Sequence, residues 1–316
     1  MSRLKSILTA AALGAGVLTA NPAHANDRLV ILLDWFVNPD HAPLIVAKEK
    51  GFFAAHGLDV ELIEPSDPSA PPRLVAAGQG DVAVNYQPQL HVQAAQGLPL
   101  TRIGTLVATP LNSLIVLEDG PIKELSDLKG KKIGFSVAGF EDAILGTMLA
   151  RHGVAMSDIE MVNVNFSLSP SLYSGQVDAI IGGYRNFELN QMAIEGKPGR
   201  AFFVEEEGVP PYDELILTIH RDNVNDPRMA RMMDALEEGV QYLINRPDDS
   251  WQAFIAAYPN LDDELNSRAW ADTLPRFALR PAAVDMKRYA RFADYLKEQG
   301  IIDTTPELES YVTVIE

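Results

Sequence analysis

Two stretches of this chain read alike, and the likeness limits what it can fold into. Leu74-Val75-Ala76-Ala77-Gly78-Gln79-Gly80-Asp81-Val82-Ala83-Val84 and Leu172-Tyr173-Ser174-Gly175-Gln176-Val177-Asp178-Ala179-Ile180-Ile181 each run from a helix end through a Gly-Gln-x-Asp turn into a buried strand. Each follows a loop and an alternating, strand-like segment, residues 58–63 and 159–164. Coincidence over about ten residues is the competing explanation. Two such units imply two similar α/β lobes. An aromatic follows each second strand, Tyr86 in one copy and Tyr184 in the other. Ligands of α/β sheets bind beyond the carboxyl ends of strands, so facing lobes would bring both tyrosines to a shared cleft.

The rest of the chain fits that plan. Residues 29–33 form a short apolar run, expected as a buried strand, and residues 43–53 carry apolar positions at helical spacing punctuated by Gly51 and Gly57. A Pro/Ser-rich loop over 65–72 leads to a helix over 73–77 and a strand over 82–84. The second lobe is expected over 113–217, with a strand at 131–136 and a helix after Gly139. Residues 215–219 would return the chain to a first lobe made of 26–112 and 218–316. From Asp226 onward the pattern is helical, with Met229, Met232, Met233, Leu236, Val240 and Leu243 on one stripe. Those methionines read as core, not as a metal box. Further helices are expected around 251–258, 264–274 and 284–299.

Residues 1–25 read as an address. Arg3 and Lys5 precede a mostly apolar run, residues 7–20, and Ala23-His24-Ala25 fits a signal-peptide cleavage site. The run is shorter than the ~20 residues that span a bilayer. Cleavage after Ala25 would remove two basic and no acidic residues, moving the formal charge from −17 to −19. The chain has no cysteine, which excludes disulfides, thiolate catalysis, Cys-ligated zinc, iron–sulfur clusters and an N-terminal lipid on cysteine. A soluble monomer free in a periplasm is expected. The acidic balance argues against a nucleic-acid partner, because neutralising phosphates needs a Lys/Arg surplus on some face.

Most motif-like strings carry no chemistry. Gly78 to Ala83 matches a loosened G-x-G-x-x-A, but the dinucleotide fingerprint needs a strand before it and a helix after, and the order here is reversed. Gly134 to Gly139 is one residue too long for a nucleophile elbow. It reads better as a strand-to-helix turn whose backbone N–H groups could meet a ligand. Beyond residue 25 the histidines are His41, His56, His91, His152 and His220; none is within five residues of another, so no compact metal pair is expected.

Two clusters stand out. Asp34-Trp35-Phe36-Val37-Asn38-Pro39-Asp40-His41 follows the first strand, and Tyr184-Arg185-Asn186-Phe187-Glu188 follows the repeat strand of the second lobe. A capping loop, with Asn38 and Asp40 turning the chain, explains the first cluster equally well. Taken as binding elements, they make a slot with aromatic faces and an Asn/Glu edge. Tyr184 and Glu188 would share a face if their segment is helical. Such a slot suits a flat heterocycle bearing an amino group, with Glu188 accepting from the amine and Asn38 pairing with amine and ring nitrogen.

Asp34-Trp35…Asn38…His41, Ala47-Lys48-Glu49-Lys50-Gly51-Phe52-Phe53, Gly57-Leu58-Asp59-Val60 and Gly78…Gly80-Asp81-Val82-Ala83, with Leu128 to Gly134 and Tyr184 to Glu188, together resemble the thiamin-pyrimidine-precursor family. The resemblance runs from residue 26 onward. It implies a type II periplasmic-binding fold, two α/β lobes joined by two crossover strands with the ligand in the cleft. One branch of the family comprises solute-binding proteins of ABC importers that capture formylaminopyrimidine or hydroxymethylpyrimidine. The other is the fungal pyrimidine synthase, which uses pyridoxal phosphate, iron and a cysteine-rich motif. The synthase lysine would fall near Asn85, where this chain has no lysine, and the cysteine motif cannot exist here. The resemblance therefore implies a non-enzymatic receptor without cofactor or metal, and an inner-membrane ABC permease as partner. Trp35, Asn38, Tyr86, Tyr184 and Glu188 fall on positions that look like pyrimidine contacts, and His41 and Asn186 sit inside the same clusters. Phe36-Val37 and Ala42-Pro43 depart from the usual family residues and bear on which pyrimidine is taken. Related receptors for riboflavin or sulfonates are the alternative.

Overall fold

A computed structural model describes residues 26–315; the expected signal segment and its cleavage site lie outside the described residues. Ten strands form two five-stranded sheets: β1 (Asp27–Leu32), β2 (Leu58–Ile63), β3 (Val82–Asn85), β4 (Leu100–Val107), β5 (Asn112–Leu117), β6 (Lys132–Phe135), β7 (Glu160–Asn163), β8 (Ala179–Tyr184), β9 (Gly199–Phe203) and β10 (Leu215–His220). The first sheet runs β2-β1-β3-β10-β4 and the second β7-β6-β8-β5-β9. In each, four strands run the same way and one, β10 or β5, runs antiparallel between the last two of them and borders a crossover. The sheets are copies of one plan, which confirms the α/β two-lobe reading.

The repeat has a structural cause that holds atom for atom. Gly78 and Gly175 end their helices with φ of 73° and 72°, a left-handed turn that a side chain disfavours. Gln79 and Gln176 return their N–H groups to the carbonyls of Leu74 and Ser171. Asp81 Oδ2 accepts from the Val30 N–H of β1 at 2.8 Å, and Asp178 Oδ2 accepts from the Lys132 N–H of β6 at 2.9 Å. The Asp81 and Asp178 N–H groups donate in turn to Val30 and Lys132 carbonyls. Each Gly-Gln-x-Asp thus stops a helix and clamps the next strand to its neighbour.

Differences from expectation are local. The helix expected over 43–53 is two, Ala42–Glu49 and Phe52–Ala55, because Gly51 adopts φ 79° between them. Strands β4, β5 and β9 were not anticipated. β4 is buried along its whole length, so it lacks the alternation that marks a half-exposed strand. The returning crossover is residues 204–214 and not 215–219, since β10 lies wholly within the first sheet; the expected 217/218 lobe boundary falls inside that strand. The methionine stripe is core: Met229, Met232 and Met233 are buried on helix Pro227–Asn245. Among the described residues no helix is long and apolar enough to cross a membrane.

Candidate functional site

The first-lobe wall forms where β1 ends. Asn38 caps the short 3-10 helix Pro39–His41: its Oδ1 accepts from the Asp40 N–H at 2.8 Å, and its Nδ2 donates to the Phe36 carbonyl at 3.0 Å. The cap aims His41 inward. His41 Nε2 lies 2.9 Å from Asp34 Oδ1, and the Tyr86 hydroxyl, just past β3, donates to Asp34 Oδ2 at 2.8 Å. Burial first, and the Asp34 charge second, raise the Tyr86 pKa well above its ordinary value, so the phenol remains a neutral donor. Its ring stacks on Phe140 of the second lobe, centroids 5.2 Å apart. At the cleft edge Trp35 meets Phe166 edge-on at 4.7 Å.

The second-lobe wall is built from buried carboxyls. Glu141 opens helix Glu141–Ala150, and its Oε2 accepts from the Ser136 and Val137 N–H groups at 2.9 and 3.0 Å. Those two donors, expected to meet a ligand, are therefore occupied. Glu141 Oε1 lies against Gly182 of β8, where an added Cβ would come within 2.3 Å of it; Gly182 also has φ 92°. Glu188 Oε2 accepts from the Tyr184 N–H at 2.6 Å. Tyr184 closes β8 and Glu188 opens helix Glu188–Ile194, so they meet through this bond and do not share one helical face. Burial raises the pKa of Asp40 to about 6, Glu188 to about 7 and Glu141 to about 8.

Between these walls lies a cavity lined from both lobes. Among the described residues its lining includes the carboxyls of Asp34, Asp40, Glu141 and Glu188 and no lysine or arginine. The cleft is narrow, with about 520 Å3 between the surrounding atoms, mouth included. Burial of carboxyls without a cation nearby costs free energy unless a donor arrives. The site therefore suits a donor-bearing, neutral or cationic group better than an anion, which would find no lysine or arginine among the described lining residues.

Of the residues singled out from sequence, Trp35, Asn38, His41, Tyr86, Tyr184 and Glu188 all line this cavity. Asn186 does not. It is buried behind the wall, where its Nδ2 donates to Asp40 Oδ1 at 2.6 Å and Thr273 Oγ1 at 2.7 Å, joining the second lobe to the first. Asn38 lines the cavity while its amide serves the cap. Asn112, Phe140 and Glu141 were missed. Glu141 and Phe140 follow the Gly134–Gly139 turn that the sequence did flag; Asn112 opens an unanticipated strand and carried no signal.

The two crossovers meet beside the cavity. Glu214 accepts from the Leu111 and Asn112 N–H groups at 2.6 and 2.9 Å. Arg185 is paired with Glu205 and donates to the carbonyls of Leu111 and Asn112. No group of three or more His, Cys, Asp or Glu side chains among the described residues is placed to hold a metal ion.

Residues 38–250 match the family described as NMT1/THI5 like. A Haemophilus influenzae protein named for thiamine biosynthesis is 50% identical over 99% of this chain and 100% of its own length. The formylaminopyrimidine-binding protein of Halalkalibacterium halodurans is 32% identical over 73% of this chain and 71% of its own. A Legionella pneumophila 4-amino-5-hydroxymethyl-2-methylpyrimidine phosphate synthase is 26% identical over 87% of this chain and 88% of its own. Among solved structures, a Candida albicans gene product described as having the generic periplasmic-binding-protein fold superposes with a TM-score of 0.72, at 16% identity over 92% of this chain and 97% of its own. The alkanesulfonate-binding protein of Xanthomonas axonopodis pv. citri gives 0.68, at 18% identity over 92% and 96%. These two likenesses concern the fold.

Proposed function

The chain belongs to the NMT1/THI5-like family, and from that premise we propose that it is a periplasmic solute-binding protein of an ABC importer. It captures a thiamin pyrimidine precursor, formylaminopyrimidine or hydroxymethylpyrimidine, between its lobes and presents it to an inner-membrane permease. One observation carries this reading: a narrow interlobe cavity with aromatic faces from both lobes and four carboxyls, unopposed by lysine or arginine. Trp35, Tyr86 and Tyr184 supply ring faces, and Glu188 accepts from the ligand amine. His41 is a positioning residue that orients Asp34, which in turn holds the Tyr86 hydroxyl. Closure by ligand requires contacts to both lobes, and the lining draws on both.

The same lining weighs against the alternatives. A sulfonate would face four carboxyls and no lysine or arginine among the described lining residues. Among the described residues the cavity lining has no lysine to form a Schiff base and no lysine or arginine to hold a cofactor phosphate, its one imidazole, His41, being turned to Asp34, so pyridoxal phosphate does not fit and the receptor reading is favoured over a synthase.

A thermal-shift panel of hydroxymethylpyrimidine, formylaminopyrimidine, thiamin, riboflavin and taurine tests this, with recovered ligand weighed by mass spectrometry. Stabilisation by the two pyrimidines, returned unaltered, is expected. Stabilisation by riboflavin or taurine alone would sink the pyrimidine assignment, and a chemically altered ligand would sink the receptor.

A further inference from the structure

Asn112 stands apart in the bonding of the cavity. It opens β5 at the end of the first crossover and lines the cavity while only 1% exposed. Its N–H donates to Glu214, and its carbonyl accepts from Arg185. Its side-chain Oδ1 accepts from the Gly182 N–H at 3.0 Å. That bond sets the amide orientation, because the reverse rotamer would place an NH2 against an N–H donor. The remaining polar group, Nδ2, is buried and has no partner among the described residues. Eight other buried side-chain atoms among the described residues are also unpartnered, and none belongs to a residue lining the cavity.

The local backbone explains the arrangement. The pairing of β5 with β8 shifts register between Ser113 and Ile115, and such irregularities re-aim side chains next to functional sites. Gly182, in a left-handed conformation, turns its N–H to the Asn112 side chain. An unpaired buried donor is costly, and no lysine or arginine among the described lining residues offers a ligand another N–H.

We infer that Asn112 Nδ2 is a specificity-determining donor that reads an acceptor on the bound ligand, a ring nitrogen of an aminopyrimidine, while the carboxyls read its amine. This rests on the pyrimidine reading of the cavity. A ligand with amine donors alone leaves Asn112 unsatisfied, so the site selects heterocycles carrying donor and acceptor together. Asn112 would also bring the ligand to the point where both crossovers meet, linking recognition to the segments that must bend when the lobes part.

The test pairs protein variants with ring-atom changes in the ligand. Hydroxymethylpyrimidine and its two monodeaza analogues, in which each ring nitrogen in turn becomes C–H, are titrated calorimetrically into wild type, Asn112→Ala and Asn112→Thr. Wild type should lose about tenfold or more in affinity for one analogue, where a decade is 1.4 kcal/mol. Both variants should lose a similar factor for the parent pyrimidine and show no further loss, within about twofold, for that same analogue. Asn112→Thr, with a β-branched residue suited to a strand, covers the case in which Asn112→Ala misfolds. Variants that bind the parent as wild type does, or that lose the same factor for each analogue, overturn the role of Asn112 and leave the pyrimidine reading standing. Failure of wild type to bind either hydroxymethylpyrimidine or formylaminopyrimidine overturns the pyrimidine reading itself, and this inference with it.

Discussion

Lowering the pH from 8 to 6.5 should stabilise the ligand-free protein. Burial raises Glu141 to about 8 and Glu188 to about 7, and Glu214, buried at the crossover, likewise to about 7. In the unfolded chain such carboxyls titrate near 4.3, so across this window the folded state takes up protons that the unfolded state does not. Stability is therefore greatest when these groups are protonated and falls as pH rises through 7 and 8. One proton taken up over one pH unit is worth about 1.4 kcal/mol. Glu141 alone then supplies on the order of 1–2 kcal/mol over the window, with a comparable share from the other two. For a chain of this size that corresponds to a rise in Tm of roughly 2–8 °C. His91 opposes the trend only at lower pH, since burial holds it neutral down to about 3 and its cost begins below its ordinary value of 6.5. The assay is a series of thermal melts between pH 8 and 6.5, repeated with Glu141→Gln. The variant keeps an acceptor for the Ser136 and Val137 N–H groups and should lose part of the slope. A Tm that is flat or that falls on acidification refutes the reasoning.

Glu188→Ala should weaken hydroxymethylpyrimidine binding by roughly 1–3 kcal/mol by leaving the ligand amine unpaired; unchanged calorimetric affinity would remove Glu188 from the site. Asn186→Ala should weaken the same binding by about 1–2 kcal/mol without touching ligand, because it deletes the bonds to Asp40 and Thr273 that join the lobes. Small-angle scattering should show that variant more open when ligand is present, and an equally compact complex of wild-type affinity would contradict the latch. Gly182→Ala should destabilise the fold by about 2–4 kcal/mol in urea denaturation, combining left-handed strain with displacement of Glu141; a loss under about 0.5 kcal/mol would show that Glu141 moves aside freely.

Much of the site was legible because its elements are local. The Gly-Gln-x-Asp repeat encodes a helix stop and a strand clamp within a few residues, so its meaning survives without the fold. Trp35, Asn38, Tyr86, Tyr184 and Glu188 reach the cavity lining because they follow strand ends, where α/β sheets place ligands. Asn112 and Asn186 show what local reading misses. The former opens a strand hidden by uniform burial, and its role depends on a register shift against β8 and on Gly182, seventy residues away in sequence. The latter sits in a binding-like cluster but spends its amide on Asp40 and Thr273, partners far off along the chain.

The sequence alone determined the two-lobe α/β plan, the family and the chemistry of the cluster residues, because periodicity, turn glycines and strand-end motifs are written in contiguous residues. Only the tertiary structure decided which side-chain atoms remain for a ligand. Asn38 is spent on a cap, the Ser136 and Val137 N–H groups on Glu141, and Asn186 on the other lobe, while Asn112 keeps a free donor. Hydrogen-bond partners and burial are set by residues brought together from distant parts of the chain, and that burial, against the opposing pull of the hydrogen bonds, carries the Asp40, Glu141 and Glu188 carboxyls toward their neutral forms.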